Sequence, residues 1–435
     1  MSRQRKKQEG RSFMAVFLLL IVIVFLLARF SLVRKPPSDI VIPRSVDVVV
    51  VGSGLTGTLA VLAAAEASAD VLYINTSNED ASEYPPYLPV FWAAATPYQL
   101  EFENEYIPET MANDIYSRGG STGNFAQILT VSLQSAQSLQ WVEGMTSITF
   151  SAVTADQLGL HRSTQADSLA VVVQETEERV QGFISEEENL QPIRLLMQGG
   201  RVSGLLVRAG DGSEVEVSAR AVILADGGNA SQPQLNVLPR LEGGHNGVGL
   251  QLAQSIGAHV EGLAQIVLQA VLLPHGSSVT TLDLEDTILF NKLGELTHQE
   301  GTLAATIEGA GGQLFVVAAK GHPLTKQIAT QEVEDLKTLA AVLKTKEELL
   351  PSQIEFLQEP YQVAILGVVA LTPGGLTVNQ EYSVIGKNGP IAGLFAAGEL
   401  TAGLHGDKAI RELFLTEAIV SAHIAGSKAA SFAQR

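Results

Sequence analysis

The feature that most constrains this chain is a β-branched run that ends in a glycine-rich turn and continues into a helix-forming stretch. Val46-Asp47-Val48-Val49-Val50-Val51 is too short for a helix and suits a strand buried on both faces of a parallel sheet. It runs directly into Gly52-Ser53-Gly54-Leu55-Thr56-Gly57 and then into Thr58–Ala69, rich in Ala and Leu. Val71-Leu72-Tyr73-Ile74 supplies a second strand. The result is a βαβ unit with Gly-x-Gly-x-x-Gly between strand and helix, where a dinucleotide-binding fold needs it. Gly52 permits the tight turn, Gly54 lets backbone N–H groups approach a pyrophosphate, and Gly57 lets the helix pack on the strand. The helix N-terminus presents the positive end of its dipole to the phosphates. A Gly52→Val change is expected to remove the cofactor and leave the protein soluble.

Charge and composition exclude several other classes. Of 28 Lys and Arg, nine lie in residues 1–44 with only Glu9 and Asp39 opposing them, which leaves 19 basic against 44 acidic groups beyond. A body that acidic repels nucleic acid, and an anionic substrate would need a local basic pocket. The chain has no cysteine, so disulfides, thiolate metal sites, Fe–S clusters and a cysteine nucleophile are absent. No His and carboxylate pair shows ligand spacing, and no metal site is expected.

Residues 1–12 form a basic tail, and Phe13–Ala28 is uncharged over sixteen residues. At 1.5 Å per residue that core spans roughly 24 Å, short of a ~30 Å hydrocarbon layer. Snorkelling of Arg29 extends the span to Val33. No small-x-small cleavage site follows, so an uncleaved single-pass anchor over 13–33 is expected in preference to a cleaved signal. Arg3, Arg5, Lys6, Lys7 and Arg11 precede the span, and Arg29, Arg34 and Lys35 accompany its far end. That bias places the N-terminus in the cytoplasm and the body on the luminal or extracytoplasmic side. Residues 34–44 read as an extended linker.

Farther on, Arg201–Arg208 and Glu214–Ser218 flank Asp211-Gly212 as a hairpin. Ala221–Leu224 is a buried strand ending at Ala225-Asp226-Gly227-Gly228. Helices are expected at Asn124–Glu143, Val248–Ile256, Gln331–Leu357 with a break near Pro351, and Thr416–Ala430.

In that order the segments resemble the fumarate reductase/succinate dehydrogenase flavoprotein superfamily, particularly its soluble fumarate-reductase-like branch. The resemblance is carried by Asp47–Gly57, Ser117–Asn124, Ala219–Gly228 and Gly247–Ala258. Its most specific part is Thr372-Pro373-Gly374-Gly375-Leu376-Thr377-Val378 leading to Ile391–Glu399 and Leu400–Gly406. The resemblance implies an α/β fold: a Rossmann-like FAD-binding domain (45–265 and 367–435) with a smaller inserted α+β capping domain (266–366), here preceded by one transmembrane helix. It implies FAD as cofactor, held by Gly52, Gly54, Gly57, Asn75, Gly227, Gly228, Gly374, Gly375, Gly398 and Glu399. It implies transfer of a hydride from the flavin to an enoate whose carboxylates are clamped by Arg and His side chains.

The departures fall on the chemistry. The proton-donor arginine's position is near Ala304, a clamping histidine's is Leu371, and a clamping arginine's is Ala409. Arg411 stands two residues on, and Pro274-His275 follows Gln269-Ala270, where the family has His-Pro. Asn75 replaces the ribose-binding acid, and Val90–Thr96 replaces a glycine-rich segment along the flavin. Two readings fit. In one, a working oxidoreductase uses Arg411, His405, Arg118 or His298 toward an altered, small-molecule electron acceptor. In the other, a non-catalytic flavin fold binds or scaffolds a protein partner of unknown identity. His423 is expected to be a packed core residue.

Overall fold

A computed structural model describes residue 42 and residues 44–435, except 53, 76–89, 102–105, 151–158, 163–175, 177–183, 187–189, 229–246, 274–276, 280, 281, 283, 351–353, 355, 356 and 409. The basic tail, the expected anchor and most of the linker lie outside the described residues. Among the described residues, no helix is long and apolar enough to cross a membrane.

β1 (Ser45–Gly52) is the strand read from the valine run, and Val48–Val51 are fully buried. Gly54 opens α1 (Gly54–Glu66), and β2 (Val71–Asn75) returns parallel to β1, with Gly52 opposite Asn75. Next come the short β3 (Val90–Trp92), then α2 (Pro108–Arg118) and α3 (Phe125–Met145). The Asn124 side chain caps α3 by accepting from Gln127 N–H. β4 (Ile184–Glu186) extends the sheet beside β2. After β5 (Gln191–Gln198), which pairs with the next strand, the expected hairpin forms from β6 (Arg201–Arg208) and β7 (Glu214–Ala225). β7 has two roles. Its first half pairs antiparallel with β6, and its second half pairs parallel with β1.

After α4 (Val248–Ser255) the chain enters a second sheet built on β8 (Val267–Leu272), β9 (Ile288–Asn291), β10 (Gln313–Ala319) and β11 (Tyr361–Leu371). All its pairings are antiparallel. Alternation along β10 sends Leu314, Val316 and Ala318 to one apolar cluster and Phe315 and Val317 to another, so both faces are covered. This capping sheet continues to Leu371, which pairs with Val267, so the expected boundary at 366 falls inside β11. The expected helix over Gln331–Leu357 is mostly something else. Gln331–Val333 pairs with β11 as an edge strand, and among the described residues of the stretch α-helix forms over Leu336–Val342 alone, started by the Asp335 cap, followed by a 3-10 turn at Glu347–Leu349.

The chain then returns to the first sheet. β12 (Ser383–Gly386) and β13 (Gly389–Ala396) form a hairpin, and β13 lies parallel to β7. The order is β12-β13-β7-β1-β2-β4, with β5 and β6 branching from β7. α5 (Phe414–Ala433) closes the layer over α1. Gly426 permits that closeness, because a Cβ there would stand 2.7 Å from Ala63 Cβ.

Candidate functional site

Ligands of open α/β sheets bind at the carboxyl ends of parallel strands. Here β1, β7 and β13 end side by side at Gly52, Ala225 and Ala396. The loop after each supplies the expected glycines. Gly54 has φ +76° and starts α1, a helix with no acid in its first turn, so its free N–H groups and dipole remain available to a diphosphate. Gly57 faces the Tyr73 hydroxyl, 3.2 Å from where its Cβ would stand. Gly227 and Gly398 take positive φ, +82° and +68°. Gly398 lies against Thr56 of α1 and donates its N–H to Ser421 Oγ of α5 at 2.7 Å.

Gly228, Gly374 and Gly375 are sites of close approach. A Cβ at Gly228 would strike Thr372 and Glu399, one at Gly374 would strike the Gly262 carbonyl, and one at Gly375 the Leu400 carbonyl. Glu399 Oε1 accepts from Thr372 N–H (2.6 Å) and from Thr372 Oγ1 (2.9 Å). Asp226 Oδ2 accepts from Gly249 N–H at 2.7 Å and so fastens α4 to the end of β7. The expected cofactor residues therefore converge on one cradle. Asn75 ends β2 beside them, with its side chain outside the described residues. A glycine-lined cradle at a helix N-terminus fits the diphosphate of FAD.

Val90–Thr96 behaves unlike a glycine-rich segment. Five consecutive N–H groups are taken by the protein itself. Trp92 donates to Thr416 Oγ1 (2.7 Å), Ala93 to Gly159 O (2.9 Å) and Ala94 to Ser135 Oγ (3.1 Å). Ala95 donates to Tyr106 O (2.9 Å) and Thr96 to Gln99 Oε1 (2.7 Å). Ala95 occupies φ +57°, a conformation that glycine adopts without cost. The Trp92 indole bonds the Tyr106 hydroxyl, which donates to Asp114; burial first, then Asp114, pushes the Tyr106 phenol up.

Of the expected catalytic residues, Arg118 is exposed and its guanidinium lies 4.8 Å from the Trp92 ring centre. Arg411 opens a 3-10 turn, Arg411–Leu413, and its side chain is outside the described residues. His405 is fully buried. Its Nδ1 accepts from Ile410 N–H (3.1 Å), its Nε2 meets Glu417 Oε2 (3.2 Å), and its ring lies 4.3 Å from that of Phe414. Neither ring nitrogen is left for a substrate. His298 is exposed, and Pro274-His275 lies outside the described residues. His423 stacks flat on Trp141 at 4.3 Å and its Nδ1 lies 3.0 Å from Ser138 Oγ; burial holds its pKa below the ordinary imidazole value.

At Leu371, one of the expected clamp positions, the structure is apolar, and Ala409, another, lies outside the described residues. Leu371 joins Val271 and Phe414 in one buried cluster, with Val267 and Leu273 packed on it. Ala304 is buried in the core of the capping domain with Leu303 and Ile307. Gln269 is fully buried and donates to the Ala270 carbonyl.

Sequence reasoning missed Thr416, Ser135, Gln99 and Glu417, all buried polar residues tied to this region. The available signal was small polar residues at helical spacing, as at Ser132, Ser135 and Ser138, on a face otherwise apolar.

A dinucleotide-binding sheet whose chain is interrupted by an antiparallel sheet, with glycines at the ends of its parallel strands, defines a flavoprotein fold. The family model described as "FAD binding domain" matches residues 47–409, and the chain belongs to that family. It is similar to the "Fumarate reductase (cytochrome)" of Shewanella frigidimarina, 25% identical over 90% of this chain and 78% of the relative. Among solved structures it is similar to the open conformation of a flavocytochrome c3 fumarate reductase, with TM-score 0.73 and 20% identity over 90% of this chain and 79% of that one. A 3-ketosteroid-Δ4-(5α)-dehydrogenase from Rhodococcus jostii RHA1 shares the fold at TM-score 0.57 and 20% identity, over 91% and 99% of the two chains. The resemblance read from the motifs holds: this is a fumarate-reductase-like FAD-dependent oxidoreductase, and FAD is its cofactor.

Proposed function

We propose that this protein reduces an uncharged conjugated carbonyl compound in place of fumarate, and that its N-terminal helix holds it to a membrane with the body on the extracytoplasmic side. The membrane reading rests on the apolar stretch 13–33 and its basic flanks. The observation that carries the substrate reading is the buried cluster of Leu371, Val271 and Phe414, in which Leu371 stands where the resemblance puts a carboxylate-clamping histidine. A carboxylate moved from water to such a wall without a cation costs several kcal/mol, on the order of the penalty for any unpaired buried ion. An ester, enone or quinone carries no such cost.

Bound FAD supplies two-electron chemistry at its isoalloxazine ring. Bound in the cradle, the cofactor would supply a hydride equivalent to the acceptor's β-carbon, and a solvent proton would complete the α-carbon as the product leaves the apolar wall, giving a saturated carbonyl compound and oxidised FAD. The protein's part is to hold FAD in the cradle, to exclude water with the apolar cluster, and to seat the uncharged acceptor against it. The N–H groups of Trp92–Thr96 are engaged internally, so that segment acts as a fixed wall.

The test compares fumarate with its dimethyl ester, which keeps the double bond and loses both charges. Holoprotein is reduced with dithionite and its reoxidation is followed by absorbance, with free reduced flavin as reference. The absence of cysteine removes the side reaction of such esters with thiols. Relative to free flavin, the ester is expected to win by at least ~10-fold, the equivalent of about 1.4 kcal/mol. Equal or faster reoxidation by fumarate refutes the proposal.

A further inference from the structure

Glu417 sits in α5 at 1% exposure, and its contacts determine its protonation state. Thr401 Oγ1 lies 2.9 Å from the Gly398 carbonyl and 3.2 Å from Glu417 Oε1. A hydroxyl has one proton, and the carbonyl can only accept. The carbonyl also accepts from Thr401 N–H at 2.9 Å, so the hydroxyl can donate to a charged Glu417 or accept from a neutral one, and the other groups around the carboxyl set its state. The other oxygen, Oε2, faces His405 Nε2. Because His405 Nδ1 accepts from Ile410 N–H, the ring's own proton is on Nε2 and the imidazole is neutral. Among the described residues, no cation therefore answers a charge on Glu417. The remaining ionisable groups that act on it are Glu399, which repels it, and the phenol of Tyr382, also fully buried. Among the described residues, neither the Tyr382 hydroxyl nor the Gln127 amide beside it is bonded to Glu417.

Thr401 and His405 belong to the loop that carries Gly398 and Glu399. That loop also wraps the turn before α3, through Asn124 N–H to Gly403 O (2.7 Å) and Asp407 N–H to Gly119 O (2.9 Å). Its fastening to α5 is Ser421 at one end and Glu417 in the middle. We propose that Glu417 is a positioning residue for FAD: as a neutral carboxylic acid it donates to Thr401, accepts from His405, and so fixes the Gly398–Asp407 loop in its cofactor-holding shape. Burial pushes the Glu417 carboxyl up, consistent with the neutral form. This inference rests on FAD binding alone and not on the acceptor's identity.

Glutamine reproduces the neutral acid's two bonds, with its N–H₂ on Thr401 and its carbonyl on His405 Nε2, whereas alanine loses both. The full-length protein, its Glu417→Gln and its Glu417→Ala variants are stripped of FAD, and the cofactor is titrated back by flavin fluorescence between about pH 5 and 9. Glu417→Gln is expected to bind FAD within about 2-fold of wild type at the acid end, and Glu417→Ala to bind at least ~10-fold more weakly. Wild-type affinity falls as pH rises through the carboxyl's raised pKa, because ionisation leaves a buried charge with no described cation at the fastening of the loop; Glu417→Gln stays flat. An infrared difference spectrum of wild type against Glu417→Gln should show a protonated carboxyl band at neutral pH. The inference is overturned if Glu417→Gln loses as much affinity as Glu417→Ala, if wild type and Glu417→Gln share one pH profile, or if the band is missing. Should Glu417→Ala fail to fold, the glutamine profile and the infrared band still decide.

Discussion

Replacing Gly52 by alanine separates two duties that a glycine-rich turn combines, admitting a phosphate and letting two strands touch. A Cβ at Gly52 would stand 2.7 Å from the Ala225 carbonyl carbon and closer still to its oxygen, where ordinary contacts begin near 3.4 Å. Relief requires β7 to retreat from β1 by nearly an ångström. On its far side β7 is held by β13, through the Leu394–Ala396 pairing and by Ala397 N–H on Leu224 O at 2.9 Å, so the strand has little room. Overpacking of this kind costs about 1–3 kcal/mol. At roughly 2–4 °C per kcal/mol for a large domain, the cofactor-free protein should melt roughly 2–12 °C below wild type. The assay is scanning calorimetry of the stripped protein, repeated with saturating FAD. A cofactor-free variant that melts with wild type while FAD binding is lost would refute the strand-contact argument. The simple expectation that Gly52→Val removes only the cofactor is therefore revised, since a valine meets the same strand with more atoms.

Thr416→Val removes the hydroxyl that accepts from Trp92 N–H and donates to Trp92 O, leaving two buried backbone groups unpaired at about 1–3 kcal/mol each; thermal denaturation measures it. Phe414→Ala opens the apolar cluster, costs about 3–5 kcal/mol, and should narrow the difference between dimethyl fumarate and fumarate as water enters. Arg118→Ala removes a guanidinium stacked on Trp92 at an exposed position and should change stability by no more than about 1 kcal/mol, with FAD affinity unchanged in a titration. His423 has its folded-state pKa lowered by burial, so it contributes stability above the ordinary imidazole value that is lost as pH falls toward its folded-state pKa. Its protonation against the Trp141 ring should quench Trp141 fluorescence in the same acid range, and His423→Phe should abolish both effects.

The cofactor half of the site was legible because its chemistry is written in local sequence. A glycine after a β-branched strand announces a turn, and Gly52, Gly54, Gly57, Gly228, Gly398 and Glu399 all arrive at one cradle. The acceptor half was legible only as missing residues. Leu371, Val271 and Phe414 come from β11, β8 and α5, and nothing local in any of them announces the others. His405 was misleading for the same reason. A histidine between glycines invites a role at the flavin, but its two partners, Ile410 and Glu417, depend on how the following turn and helix fold back. The strand at Gln331–Val333 was read as helix because three residues carry too little period, and its pairing with β11 decides the matter.

β13, the Glu399 loop and α5 close a site whose first wall is β1 and α1, so the two halves are separated by more than three hundred residues of chain. At typical synthesis rates of about 5–20 residues per second, a ribosome takes roughly 15–65 s to pass from the first half to the second. During that interval β7 has no β13 beside it, and α1 has no α5 over its Ala-rich surface. FAD therefore cannot be captured by the growing chain as it emerges. Loading must follow completion, and a body exported across a membrane in unfolded form would meet its flavin only on the far side.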